Sequence, residues 1–538
     1  MPCPLLRTDM DTVARFELLL LLIGATVVLD LMARRLSLPP AAALIVGGIA
    51  LALTPGMPDI TLDPGLALVL FLPPLLLGSA YFTVWRDFRA DLRIILQLAV
   101  GAVVFTTAIV GVVAHWALPS LPWSACFALG AIVSPPDAVS AKAVLARVKL
   151  PQRMVTLLEG ESLVNDATGI VLFRIAVAAG LTGTFDAGHA ALSFMSLVAG
   201  GLVVGLAFGW LTMAIMTRLG DPTLIAVISF LAAWASYIGG EALHVSGVLS
   251  TVACGIIMGI RQHRELKAAT RMQGRAVWQA MTFVLESMVF ILIGLTLRPV
   301  LVRLDTESLS VAEQLPAAVA VVLAVILSRA AWVFPAAYIP RLLLPGLRRH
   351  DPIPPVAVPI ILSWAGMRGV VSLAAALSLP VAFQGRDFVL ATTFLVILVT
   401  VLVQGSTLAP LIRILNLSEF KMDRPKTMPE DKARVVVAQA QLDAVERESL
   451  ADGAQKHPRL VEQYGYRARA SARFVAAHGA LEPDRQEHYR VVLAAISAGR
   501  ERVLQLHQEG QIHDSVLHTL ENELDLEELG ANRFRDDD

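Results

Sequence analysis

Through residue 417 the chain is built from apolar runs of about 20 residues, parted by short polar or Pro/Gly breaks. A run of that length is what a helix needs to cross the hydrocarbon core of a bilayer. Lipid offers the backbone no hydrogen-bond partners, so such runs must bond internally, as helices. Composition agrees: 56% of the 538 residues are hydrophobic and 17% charged, against roughly a quarter charged in soluble domains. The reading is an all-α polytopic membrane protein.

The apolar runs place thirteen spans at roughly 16–33, 39–56, 64–84, 92–118, 123–146, 153–181, 189–218, 222–239, 243–261, 277–297, 314–341, 357–383 and 387–417. Basic residues alternate with them. Arg34, Arg35, Arg86, Arg89, Arg93, Lys142, Arg147, Lys149, Arg153, Arg218, Arg261, Arg264, Lys267, Arg271, Arg275, Arg341, Arg348 and Arg349 fall in one set of loops. The other set holds only Arg298, Arg303 and Arg386. By the positive-inside rule the first set is cytoplasmic. The N-terminus is then outside and the polar tail inside. The first run lacks a small-residue cleavage site and reads as a retained helix, not a signal peptide. Residues 1–15 form a short N-terminal segment, 16–417 the membrane domain, and 418–538 a charged helical tail ending in an acidic stretch.

Other classes recede. A net charge of -1 argues against a nucleic-acid partner. Three cysteines, Cys3, Cys126 and Cys254, give neither a disulfide framework nor a metal site.

The chemistry lies in charges that the apolar runs should exclude. Within the sixth run stand Glu161, Ser162, Asn165 and Asp166. Ser162 and Asp166 are four residues apart and share a helix face. Glu161 lies about 140° away at roughly 100° per residue, so the two acids face different surroundings. Asp166 with Ser162 offers hard oxygens suited to an alkali cation or a proton. Glu161 needs a cationic partner, because an unpaired buried charge is heavily penalised. Arg329, in the eleventh run, is the natural one.

Two runs carry breaks. Ser134-Pro135-Pro136-Asp137 removes two backbone donors in the fifth. Gly366-Met367-Arg368-Gly369 brackets an arginine with glycines in the twelfth. If the seventh helix joins two six-helix halves, these positions are equivalent, which is the pattern of a secondary transporter with its site at the membrane midplane. Exposed carbonyls beside Asp137 would form part of that site. Arg174 and Glu286 read as charges snorkelling outward, and His244 as a polar contact at a helix end.

At these residues the chain resembles the cation:proton antiporters of the bacterial and animal sodium/proton exchanger family, over about 16–417. Glu161-Ser162-Leu163-Val164-Asn165-Asp166 is similar to the family's Asn-Asp helix. Phe71-Leu72-Pro73-Pro74-Leu75-Leu76, Arg329, Gly366-Met367-Arg368-Gly369 and Val403-Gln404-Gly405-Ser406-Thr407 support it. The resemblance implies two inverted six-helix repeats whose fifth and twelfth helices are broken and cross, a homodimer, and exchange of Na⁺ or Li⁺ for H⁺ by an elevator motion. It implies that Asp166 carries the cation and proton in turn, with Ser162, Asn165, Asp137 and the Pro136 carbonyl as further cation ligands. Glu161 and Arg329 would form a structural pair, and Arg368 would sit with Asp137 at the crossing. An Asn at 165 is the pattern linked with electroneutral exchange. Two departures bear on which cation is used: Gly78 replaces an acid, and Pro136 replaces a Thr.

The expected function is therefore antiport of a monovalent cation against protons across a cell membrane, not an enzymatic reaction. The ions are substrates, and no resident cofactor is expected. The partners are the bilayer, a second copy of the chain, and a regulatory ligand or protein at the tail. Three alternatives use the same ingredients: a K⁺-selective proton antiporter, a tail-gated cation channel, and a membrane sensor with its output in the tail. The absence of a carbonyl-filter signature weighs against the channel, and the intact Ser, Asn and Asp set against the sensor.

Overall fold

The computed structural model describes residues 12–36, 38–54, 64–137, 150–183, 187–296, 311–380, 382–415, 428, 430–451, 457–476 and 482–535. Among them there is no strand. The membrane unit runs α1 (Thr12–Arg35), α2 (Pro40–Ala52), α3 (Pro64–Phe82), α4 (Trp85–Ala90), α5 (Leu92–Ala117) and α6 (Trp123–Val133). It continues with α7 (Gln152–Thr182), α8 (Ala187–Met216), α9 (Pro222–Ala242), α10 (Gly247–Glu265) and α11 (Ala268–Leu295). It closes with α12 (Val311–Leu343), α13 (Pro345–His350), α14 (Ala357–Trp364), α15 (Val370–Leu377) and α16 (Arg386–Ile414). Among the described residues seven helices are long and apolar enough to cross a membrane: α5, α7, α8, α9, α11, α12 and α16. Shorter apolar helices such as α2 and α6 pack between them.

A second compact unit, Arg424–Asp538, holds four polar helices: α17 (Glu430–Ala451), α18 (Pro458–Ala476), α19 (Glu482–Gln508) and α20 (Asp514–Arg535). Arg500 on α19 pairs with Asp525 and Glu528 on α20, both at 2.6 Å.

Several boundaries differ from the sequence reading. The twelfth run, 357–383, is broken where Gly366-Met367-Arg368-Gly369 predicts, into two short helices, α14 and α15, with no helix over 365–369, and α15 stops at Leu377. In the fifth, α6 ends at Val133, and residues 138–146 lie outside the described residues. Helix α9 runs through Gly239-Gly240 to Ala242, three residues past the expected end. The turn comes at His244, whose φ of 56° is left-handed, and Ser246 then caps α10 by accepting from the Leu249 N–H at 3.2 Å. Helix α4 forms within the loop expected between the third and fourth runs.

Close packing between spans follows a spacing visible in the sequence. Gly201, Gly205 and Gly209 on α8 recur every four residues and lie against the backbone of Ser246, Ser250 and Cys254, also four apart. With no side chain between them the two backbones approach directly, the small-residue mode of membrane helix packing. A methyl group at Gly205 would meet the Ser250 carbonyl oxygen.

One end of the unit is tied by charge. Asp351, between α13 and α14, binds Arg93 (3.1 Å), Arg153 (2.9 Å) and Arg341 (2.6 Å), and Arg153 also binds Asp91 at 2.8 Å. Burial raises the Asp351 carboxyl, but the three guanidinium groups outweigh it and hold it below the ordinary carboxylate range. The three arginines lie at the ends of three helices, α5, α7 and α12, that the charge alternation assigns to one side, and the structure brings them together.

Candidate functional site

Asp166 lies halfway along α7, which Pro151 opens and Gly183, at φ 70°, ends. It is 7% exposed, and its neighbours Glu161 (1%) and Asn165 (0%) are buried as well. The helix thus carries three polar side chains into the interior, Glu161 and Asn165 four residues apart on one stripe and Asp166 on another.

The Glu161 face meets α12. Arg329 donates through Nη1 to Glu161 Oε1 at 2.6 Å and through Nη2 to Oε2 at 2.8 Å. Its Nε donates to the Leu362 carbonyl at 2.9 Å. All three guanidinium nitrogens are thereby used, the two-pronged geometry that suits Arg to a buried carboxylate. Because Leu362 belongs to α14, the pair also anchors the helix that stops just before the second break.

One turn further along the same stripe, Asn165 meets the first break. Its Nδ2 donates to the Pro136 carbonyl at 2.7 Å. Pro135 and Pro136 cannot donate, so carbonyls near the end of α6 lose their helical partners, and Asn165 satisfies one of them. Asn165 Oδ1 is buried with no hydrogen-bond partner among the described residues. A buried amide oxygen left open is costly and marks a place where a cation or water can bind.

The two breaks touch. The Asp137 N–H donates to the Met367 carbonyl at 2.7 Å. Arg368, 1% exposed, donates from Nε to the Val133 carbonyl at 2.8 Å and from Nη2 to the Ser134 carbonyl at 3.3 Å. A cation on the last carbonyls of α6 both satisfies orphan acceptors and complements the negative end of the helix dipole. Its own N–H donates to Thr400 Oγ1 on α16 at 3.1 Å. Gly369 lies directly against the Asp137 carboxylate, where a methyl group would clash. Through Pro136 and Met367 the first break is thus tied both to Asn165, the residue before Asp166, and to the second break. Ser162, half-buried, lies one turn before Asp166 on the same face.

Seven of the expected site residues therefore lie on α7 or at the two breaks: Asp166, Ser162, Asn165, Glu161, Asp137, Pro136 and Arg368. Arg329 joins them from α12. Arg174, exposed as a charge reaching outward is, also finds a partner: its Nη2 binds both Glu241 oxygens, at 3.0 and 2.9 Å. Gly78 has its own reason, since a Cβ there would lie 3.1 Å from the buried Trp278 ring. That indole occupies the space beside Gly78, and its N–H is satisfied by Ser229 Oγ at 2.9 Å.

With that geometry in hand, comparison with known proteins decides the family. Residues 18–414 match the model of the transmembrane sodium/hydrogen exchanger family. The chain belongs to the sodium/hydrogen exchanger family. Among its relatives is a Na⁺/H⁺ exchanger of Mycobacterium bovis, 32% identical over 524 residues and 94% of each chain. Another is a sodium, potassium, lithium and rubidium/H⁺ antiporter of Bacillus pumilus, 30% identical over 91% of this chain and 74% of that one. The fold is similar to that of the sodium proton antiporter MjNhaP1 from Methanocaldococcus jannaschii. That likeness has a TM-score of 0.61 and 19% identity, covering 76% of this chain and all of the other. The exchanger family is one of transporters, and this member is a multi-pass membrane protein.

Proposed function

We propose that this exchanger carries a monovalent cation, Na⁺ or Li⁺, one way and a proton the other through a single shared carboxylate, Asp166. The observation that carries the reading is Asp166 buried beside the open Asn165 oxygen, at the point where two interrupted helices meet. A carboxylate there gains a great deal from neutralisation, whether by a proton or by a cation. The two cannot occupy it together, and that competition couples their fluxes. Asn165 supplies polarity without a second titrating group, in keeping with one proton per cation and an electroneutral cycle. Asp137, Ser162 and the Asn165 oxygen complete the oxygen set. The Pro136 carbonyl, already bonded to Asn165, contributes through its second lone pair.

In this account the membrane unit is thirteen spans in two inverted six-helix repeats, works as a homodimer, and alternates access by an elevator motion of the helices around Asp166. The N-terminus is outside and the tail in the cytoplasm of a cell membrane. A K⁺-selective form of the same exchange is the second reading. It is favoured by the Bacillus pumilus relative, whose cations include potassium and rubidium. Proton flux into reconstituted vesicles, titrated with Na⁺, Li⁺ and K⁺ for wild type and Asp166→Asn, tests both. Flux that survives in Asp166→Asn would remove Asp166 from the mechanism.

A further inference from the structure

Helix α16 carries a buried side chain to which neither the fold nor the exchange chemistry has yet given work. Gln404 is 1% exposed. Neither its Oε1 nor its Nε2 has a hydrogen-bond partner among the described residues. Both ends of a buried amide left open is a heavy penalty, and in native proteins such groups hold water or a ligand.

Its direction follows from its neighbours. Thr400, four residues earlier, accepts from the Arg368 N–H at 3.1 Å, and Thr407, three residues later, accepts from Trp364 Nε1 at 2.9 Å. Residues three and four apart share a helix face, so Gln404 sits between two contacts that bracket residues 364–368. A Cβ on the next residue, Gly405, would lie 3.2 Å from Met367 Sδ. Thr400–Gln404 is itself a π turn, a wider turn that occurs at functional sites more often than elsewhere. Met367 is the residue whose carbonyl holds the Asp137 N–H.

We infer that Gln404 is a positioning residue of the exchange site, its amide holding water against the non-helical segment 365–369 and thereby fixing the Met367 turn on which Asp137 rests. The inference rests on the exchange reading above for its functional consequence, but not for its structural one. Water can bridge an amide and an opened backbone nearly as well as a direct bond. The amide is therefore an expense to stability that only the ordering of this segment offsets.

The test compares wild type, Gln404→Met and Gln404→Glu in three measurements. The first is the thermal unfolding midpoint in detergent, the second backbone hydrogen exchange of 365–369, and the third cation-driven proton flux in vesicles across pH. Met fills the same volume without polar atoms. Gln404→Met should unfold at or above the wild-type temperature, expose 365–369 to faster exchange, and lose about tenfold or more in maximal flux. Gln404→Glu has a donor and an acceptor only when protonated, so its flux should recover toward acid pH. Wild-type flux, pH profile and segment protection in Gln404→Met would overturn the inference. So would a Gln404→Met that loses stability and flux together, because the amide would then be an ordinary structural member. If the wild type moves no cation, the exchange reading fails, while protection of 365–369 still decides Gln404.

Discussion

Replacing Glu161 by Gln breaks the pair with Arg329 while changing almost no volume. Glu161 is 1% and Arg329 3% exposed, and the two hydrogen bonds between them are 2.6 and 2.8 Å. A Gln keeps one acceptor for Nη1 and presents an NH₂ donor to Nη2, leaving a buried guanidinium charge without its counterion. Breaking a buried pair from one side costs about 3–5 kcal/mol, most of it the cost of stranding the remaining charge. Arg329→Met should cost somewhat more, because it also orphans the Leu362 carbonyl now bonded at 2.9 Å, about 1 kcal/mol further. Glu161→Met with Arg329→Met removes both charges and should retain only that last loss. The assay is the unfolding midpoint of the detergent-solubilised protein for wild type, Glu161→Met, Arg329→Met and the double variant, which close a double-mutant cycle, with Glu161→Gln beside them. The double variant should be more stable than either single one. Additive losses, with the double the least stable, would refute the reasoning that the pair's charges depend on each other.

Other expectations follow from the same geometry. Asp351→Asn should cost about 2 kcal/mol near neutral pH, by leaving Arg93, Arg153 and Arg341 crowded without their shared carboxylate. Because the folded-state pKa lies below the ordinary 3.8, that stabilisation is present above 3.8 and lost as pH falls through the folded value. Unfolding midpoints of wild type and variant should therefore converge in strong acid, and a gap that persists there would contradict it. Gly369→Ala places a methyl group against the Asp137 carboxylate. It should lower maximal exchange about tenfold or more with the protein still folded, whereas Gly274→Ala, with open space around it, should exchange as wild type.

What the sequence made legible, and what it hid, have a common physical origin. Glu161 and Arg329 were found because a charge in an apolar run must have a partner, and each was the other's plainest choice. The breaks were visible because Pro135-Pro136 and Gly366-Met367-Arg368-Gly369 break helices through backbone chemistry that needs no neighbours. That the two breaks meet is expected only from the resemblance; their bond runs between the Asp137 N–H and the Met367 carbonyl, backbone groups that every residue but proline has. The pairing of Arg174 with Glu241 is not legible in the sequence, because 67 residues separate them. Asp91 and Asp351 went unnoticed for the same reason, as loop acids whose three arginines converge only in the fold. The π turns left no mark at all: Gln97–Ala102 and Thr400–Gln404 read as ordinary apolar helix. Gln404 was noted as part of a matching motif, but an unmet hydrogen bond can be seen only once the surroundings are known.

Whether one carboxylate serves both ions is decided by cation-driven proton flux in vesicles with Asp166→Asn beside wild type. Wild type should show saturable flux that protons and cations inhibit competitively. Asp166→Asn should show no cation-dependent flux at any pH, with its unfolding midpoint at or above the wild-type value. Cation-dependent proton movement persisting in that variant would rule out Asp166 as the shared site.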